Sequence, residues 1–261
     1  MSVETKTAAV DREELRSRVK SMYTQVADRP EGPFHFEMGR PLAERLGYAA
    51  ADLDRIPPEA MESFAGVGHH FGLAKIQAGE TVVDLGSGSG MDAFLAAFQT
   101  GPTGRVIGVD MTDQQLVKAE SLRQREGIQH LQFRSGYLEA IPVEDGTADA
   151  VVSNGVINLC PDKAAVFDEC RRILKPGGRL AISDIVTGVR LPPAIVCNAS
   201  LWAACIGGAM QVEDYQKAIE AAGFRVETLV ENPEYRFLSK SAQGATRQYG
   251  VKSISLVAWK T

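Results

Sequence analysis

The sequence predicts an α/β protein built on a doubly wound, mostly parallel sheet, and three observations predict it. Strand-like runs at 80–85, 105–109, 131–135, 148–153 and 178–183 alternate with helical runs at 91–99, 113–124 and 162–174. Such alternation lets helices cover both faces of a parallel sheet. The first apolar run closes on Asp84 and turns through Gly86-Ser87-Gly88-Ser89-Gly90 into a helix, and the second ends in another acid, Asp110. At 261 residues the chain suits one large domain with decorations.

The elements follow in order. Leu15, Val19, Met22, Tyr23 and Val26 recur at helical spacing over 11–27, and Asp28-Arg29-Pro30-Glu31-Gly32-Pro33 breaks that helix. Short helical pieces divided by Gly47 and Pro57-Pro58 fill 34–75. Residues 1–75 thus read as an N-terminal helical cap or lid, and 76–261 as the sheet domain. Thr112 with Gln115 matches a capping box opening the second core helix. Asp162 suits the N-cap of the next helix, which stops at Lys175-Pro176-Gly177-Gly178, and Gly223 ends a later one. Residues 187–210 form an insertion after the fifth strand, and 224–230 and 253–259 read as final strands.

Composition narrows the function. A net charge of −5, with basic residues scattered, gives no general pull toward nucleic acid. No apolar run approaches membrane-spanning length, and the first twenty residues lack an apolar signal core. Cysteines at 160, 170, 197 and 205 show no C-x-x-C spacing, so no metal is expected. The expectation is a reduced, cytoplasmic protein, monomer or homodimer, with neither nucleic acid nor membrane as partner.

Glycines in a strand-to-helix turn let backbone approach a ligand that any Cβ would block. An acid closing the next strand is placed to accept hydrogen bonds from a ribose. The dinucleotide fingerprint G-x-G-x-x-G asks for glycine at its sixth position, where this chain has Met91. An empty tight turn would explain the glycines alone. The paired acid Asp110 and the Gly136-Tyr137 turn argue for a ligand instead.

With Asp84 two residues before the first glycine, the pattern resembles the S-adenosylmethionine (SAM) site of class I methyltransferases. The resemblance implies a seven-stranded sheet whose last strand is antiparallel. It also implies that SAM is held by Tyr23, Asp84, Gly86, Ser87, Gly88, Gly90, Asp110, Met111, Tyr137, Leu138 and Asn154. Asp84 and the glycine loop would hold the methionine part, Asp110 the ribose and Tyr137-Leu138 the adenine side. Simple packing for Tyr23 and a turn cap for Asn154 stay open as alternatives.

Within that superfamily the chain resembles the arsenite methyltransferase branch, through Leu46-Gly47-Tyr48, Gly108–Thr112, Ser153–Leu159 with Pro161-Asp162-Lys163, and Leu201–Ala209. That branch binds trivalent arsenic through cysteine thiolates from separate segments. This chain keeps one, Cys205, but has Gly155 where S-N-C-V-I-N-L carries cysteine and Val67 where G-C-G-N-P does. A soft ion needs several converging soft ligands, so the expectation is a retained scaffold with its arsenic chemistry lost. Cys160 is a possible partial replacement, and Cys205 could be an ordinary buried residue.

The function expected is methyl transfer from SAM to a small-molecule acceptor, organic in the first reading, with S-adenosylhomocysteine as product. The acceptor is expected between His69-His70, the Gly155 turn and the Trp202–Cys205 stretch. His69 or His70 would be the base for a hydroxyl or amine, or else a satisfied polar residue at the domain edge. Two alternatives stay open: a metalloid methyltransferase acting on methylarsenicals, and a silent SAM-binding protein.

Overall fold

The structure, a computed structural model, describes residues 10–196, 202, 206–238 and 240–261, with the backbone alone for 240–242. A long helix, α1 (Arg12–Asp28), opens the chain, and α2 (Arg40–Arg45), α3 (Ala50–Leu53), α4 (Pro58–Glu62) and α5 (Phe71–Ala74) are single turns. Then come β1 (Thr81–Leu85), α6 (Met91–Thr100), β2 (Arg105–Asp110), α7 (Asp113–Arg125), β3 (Leu131–Ser135), β4 (Ala148–Asn154), α8 (Lys163–Ile173) and β5 (Leu174–Thr187). The C-terminal part adds α9 (Pro193–Val196), β6 (Met210–Gln211), α10 (Val212–Ala221), β7 (Phe224–Glu231), α11 (Lys240–Tyr249) and β8 (Lys252–Lys260).

The strands lie in the order β3-β2-β1-β4-β5-β8-β7. The first five are parallel, and β8 runs antiparallel to both β5 and β7, as expected. The short β6 pairs parallel with the end of β5. Two residues carry no readable period, so the sequence did not announce it. Period-two burial divides the central strands. Val83, Leu85, Ile107, Val109 and Val151 join one core, while Val82, Val106, Ala150 and Val152 join the other.

Nearly all of α6 is buried, because residues 42–74 cover the face that the sheet leaves free. Leu42, Leu53, Met61 and Phe71 share one cluster with Phe94 and Val106. The division drawn at 75/76 is therefore not a division in packing. Arg179 of β5 fastens this junction. Its guanidinium pairs with Glu80 at 2.6 and 2.8 Å, donates to the Lys75 carbonyl at 3.2 Å and also donates to the Ala74 carbonyl.

Asp162 caps α8 by accepting from the Ala165 amide, and Gly223 follows α10 at φ +84°, both as expected. The capping box at Thr112 does not form. The Thr112 amide donates to Asp110, and Gln115 turns into the protein toward Ser89 and Tyr23. Among the described residues no helix is long and apolar enough to cross a membrane.

Arg179→Ala would leave Glu80, whose side chain is 18% exposed, and the Ala74 and Lys75 carbonyls without their cation. Breaking a buried pair from one side costs about 3–5 kcal/mol. Chemical denaturation should show a loss of that order, and a change below about 1 kcal/mol would deny Arg179 this role.

Candidate active site

The winding of the sheet reverses between β1 and β4, where open α/β sheets receive their ligands. A cleft with about 1060 Å³ of empty space, part of it open to solvent, lies there. Tyr23, Asp84, Gly86, Ser87, Gly88, Asp110, Met111, Tyr137, Leu138, Asn154 and Gly155 all line it. Of the expected cofactor residues only Gly90 does not. It starts α6 at φ +97°, and a Cβ there would meet the Phe133 ring at 2.8 Å.

Asp110 closes the glycine loop. Its carboxylate accepts from the Gly88 amide at 2.9 Å and the Thr112 amide at 2.8 Å, tying the β1–α6 and β2–α7 turns together. Asp84 is 2% exposed, and one of its oxygens has no partner among the described residues; neither has the Ser87 hydroxyl. Burial, with Asp92 and Asp110 nearby, holds the Asp84 carboxyl well above the usual range. Burial likewise pushes Asp92, also on the cleft wall, up to about 6. Three carboxylates around one cleft, one with an open acceptor, fit a cationic ligand bearing N–H and O–H donors, as SAM is.

Helix α1 covers the mouth. Arg12, Arg16, Lys20 and Thr24 fall four apart and reach Asp162 (3.2 Å), Glu139 (3.3 Å), Asp113 (2.8 Å) and Gln114 (3.1 Å) beyond three strand ends. The Arg16 guanidinium also lies 4.5 Å over the Tyr137 ring. Such partly exposed pairs hold little by themselves. The buried Leu15, Val19 and Val26 supply the adhesion.

Asn154 fixes the opposite wall. Its Oδ1 accepts from the Val67 and Gly68 amides at 2.8 and 3.3 Å, and its Nδ2 donates to the Gly68 carbonyl at 3.0 Å. The Gly66-Val67-Gly68 segment sits so close that Cβ atoms at 66 and 68 would fall 2.6 Å from Asn154 Nδ2 and from Ser183 Oγ respectively. Val67 is 1% exposed, and a Cβ on Gly155 would lie 3.1 Å from it. The two positions aligned with missing cysteines are therefore neighbours in space.

The histidines do not join them. His70 is fully buried beside the Phe71 ring, its ring nitrogens unpaired among the described residues, and burial lowers it to about 3. His69 is half-buried with its ring centroid 4.4 Å from that of Tyr48, and burial lowers it too. Neither lines the cleft. The close docking of Gly66–Gly68 against the sheet end carries the next residues away from it, so the structure does not bring this pair to the cleft.

Trp202 is buried with Leu159 and Ile206 behind the cleft, its indole donating to the Val196 carbonyl. Cys205 lies outside the described residues. Cys160 lines the cleft, but its thiol points to the Val156 carbonyl at 3.7 Å and burial pushes it up, away from the thiolate. The residues missed in the sequence are Arg16, Asp92 and Gln115. Asp92 carried a signal, since it is the one charged residue in an otherwise apolar first turn, Met91–Phe94.

Residues 76–223 match the family model described as a methyltransferase domain. The arsenite methyltransferase of Halobacterium salinarum is 36% identical over 251 residues, covering 90% of this chain and 64% of that protein. The human arsenite methyltransferase is 38% identical over 158 residues, covering 57% and 42%. This chain thus spans less than two thirds of the length of these relatives. Among solved structures, an arsenic(III) S-adenosylmethionine methyltransferase from Chlamydomonas reinhardtii superposes with TM-score 0.68 at 33% identity, covering 80% of this chain and 71% of that one. A geranyl diphosphate C-methyltransferase from Streptomyces coelicolor A3(2), at 18% identity and TM-score 0.67, covers 97% of this chain and all of the other (100%) and shares the fold. On these grounds and on the geometry of its cleft, the chain belongs to the class I SAM-dependent methyltransferases, near their arsenite methyltransferase branch.

Proposed function

We propose that this chain transfers the methyl group of SAM to a soft, trivalent metalloid that arrives already carrying methyl or thiol ligands. The observation that carries this reading is the paired replacement at Val67 and Gly155, neighbours in space on a scaffold otherwise kept. A metalloid with some positions already filled needs fewer protein thiolates. Kinship with arsenite methyltransferases over 90% of the chain favours a metalloid over the organic acceptor that the motifs alone suggested. An organic acceptor is the second reading, favoured by the apolar character of the Val67–Gly155 wall.

SAM, when bound, supplies a methyl group on a cationic sulfonium. The chain's own part is to align the acceptor with that methyl and to keep water out. Asp84 and Asp92 offer negative charge where the cation would lie, and α1 with Tyr23 covers it. A trivalent metalloid carrying methyl or thiolate ligands attacks through a lone pair on an atom that bears no proton, so it needs no base. The placing of His69 and His70 off the cleft wall is compatible with such an acceptor.

The acceptor is tested with purified chain, SAM and glutathione, supplying arsenite, methylarsenite or a panel of organic alcohols, amines and thiols. Mass spectrometry should find methylarsenite converted at least tenfold faster than arsenite. Products from the organic panel alone would establish the second reading, and methylation of arsenite at an equal rate would overturn the proposed need for ligands already in place.

The carboxylates make cofactor binding pH-dependent. A cation favours their ionised form, so SAM should release protons from groups that burial had raised. For Asp92, affinity falls as pH drops through about 6, by up to about tenfold per unit for each proton released, and Asp84, also raised by burial, adds a loss of its own. Calorimetry from pH 5 to 8 measures this, and a flat profile would remove Asp84 and Asp92 from cofactor binding.

A further inference from the structure

Of the three aspartates on the cleft wall, Asp84 and Asp110 hold backbone amides, whereas both oxygens of Asp92 are bonded by side chains. Tyr48 Oη donates to Asp92 Oδ1 at 2.7 Å, and Asn154 Nδ2 donates to Oδ2 at 3.1 Å. Asn154 Nδ2 also donates to the Tyr48 oxygen at 3.1 Å. An ionised carboxylate only accepts, so Asp92 fixes the direction of every bond in this chain of contacts. With Nδ2 of Asn154 drawn by Asp92 and by the Gly68 carbonyl, Oδ1 faces the Val67 and Gly68 amides. With Oδ1 and Nδ2 exchanged, two donors would face two donors.

We propose that Asp92 is a positioning residue for methyl transfer: from the wall of the cofactor cleft it sets, through Tyr48 and Asn154, the orientation that pins Val67 and Gly68 over Gly155. The cofactor site and the wall facing the acceptor are thereby one hydrogen-bonded unit, with three of its members, Tyr48, Asp92 and the Val67 side chain, at most 6% exposed. Buried networks of this kind hold geometry well only when every member is satisfied. The inference rests on the proposed acceptor position at Val67 and Gly155. Its first test, however, needs no acceptor.

Asp92→Asn puts an amide between two donors, and in either rotamer one donor is left unmatched. Asp92→Asn with Asn154→Asp reverses the pair. The new amide at position 92 donates to the new carboxylate at position 154, which still accepts from Val67 and Gly68. Only the bonds to the Gly68 carbonyl and the Tyr48 oxygen have no replacement.

Amide hydrogen exchange at Val67 and Gly68 should quicken at least tenfold in Asp92→Asn and return to within about threefold of the parent in the double variant. At saturating SAM, with methylarsenite and glutathione as probe, turnover should fall at least tenfold in the single variant and recover in the double. Unchanged exchange in Asp92→Asn, or equal loss in single and double variants, would overturn the proposal. If Asp92→Asn does not fold, Tyr48→Phe carries the test: exchange quickened at Val67 and Gly68 upholds it, and parent-like exchange overturns it. Failure of methylarsenite with every variant and the parent, while the exchange pattern holds, would overturn the acceptor class and leave the positioning role standing.

Discussion

The carboxylate of Asp110 is the joint on which the cofactor site depends. Parallel strands that end together leave their turns with amides pointing into a common space, and those amides need acceptors. Asp110 satisfies one from the Gly88 turn and one from its own, at Thr112, and so holds two loops in register across the cleft. Asp84 and Ser87 then line the cleft, with an Asp84 oxygen and the Ser87 hydroxyl that have no partner among the described residues. A side chain at position 86 would strike Val156 at 2.7 Å, so the close approach of β1 and β4 turns permits only glycine.

From that joint the electrostatics follow. Asp84, Asp92 and Asp110 share one poorly solvated space, and each has its carboxyl raised by desolvation first and by hydrogen bonding lowered only in part. A site of this kind pays in its own stability for affinity toward a cation. The N-terminal helix is suited to it: its stripe of Arg12, Arg16, Lys20 and Thr24 meets the acidic and polar tips of the strand-end loops while its apolar face packs inward.

The proposed acceptor side is built differently. Around Val67 and Gly155 the wall is apolar and tightly packed, and its shape comes from Asn154 and the Gly66–Gly68 backbone rather than from charge. Two thiolates there would converge on one ion; a valine and a glycine make a contact surface instead. The fold is shared with methyltransferases of quite different acceptors, so the fold decides nothing about the acceptor. The wall does.

The sequence by itself determined the layered architecture, since alternating apolar periods leave only a parallel sheet between helices, and strand bounds came within a few residues for β1 to β4. It also picked out most of the residues that line the cleft, because that side is made of strand ends and glycine turns whose order along the chain follows the order of the strands. What lies around the proposed acceptor side was decided only by tertiary structure. His69 and His70 follow Val67 by two and three residues in sequence, yet neither lines the cleft. Gln115 read as a cap because its spacing from Thr112 is local, but a buried partner, Ser89, outcompeted the local bond. Asp92, Tyr48 and Asn154 lie 44 to 106 residues apart, and contacts at that separation leave no period in a sequence.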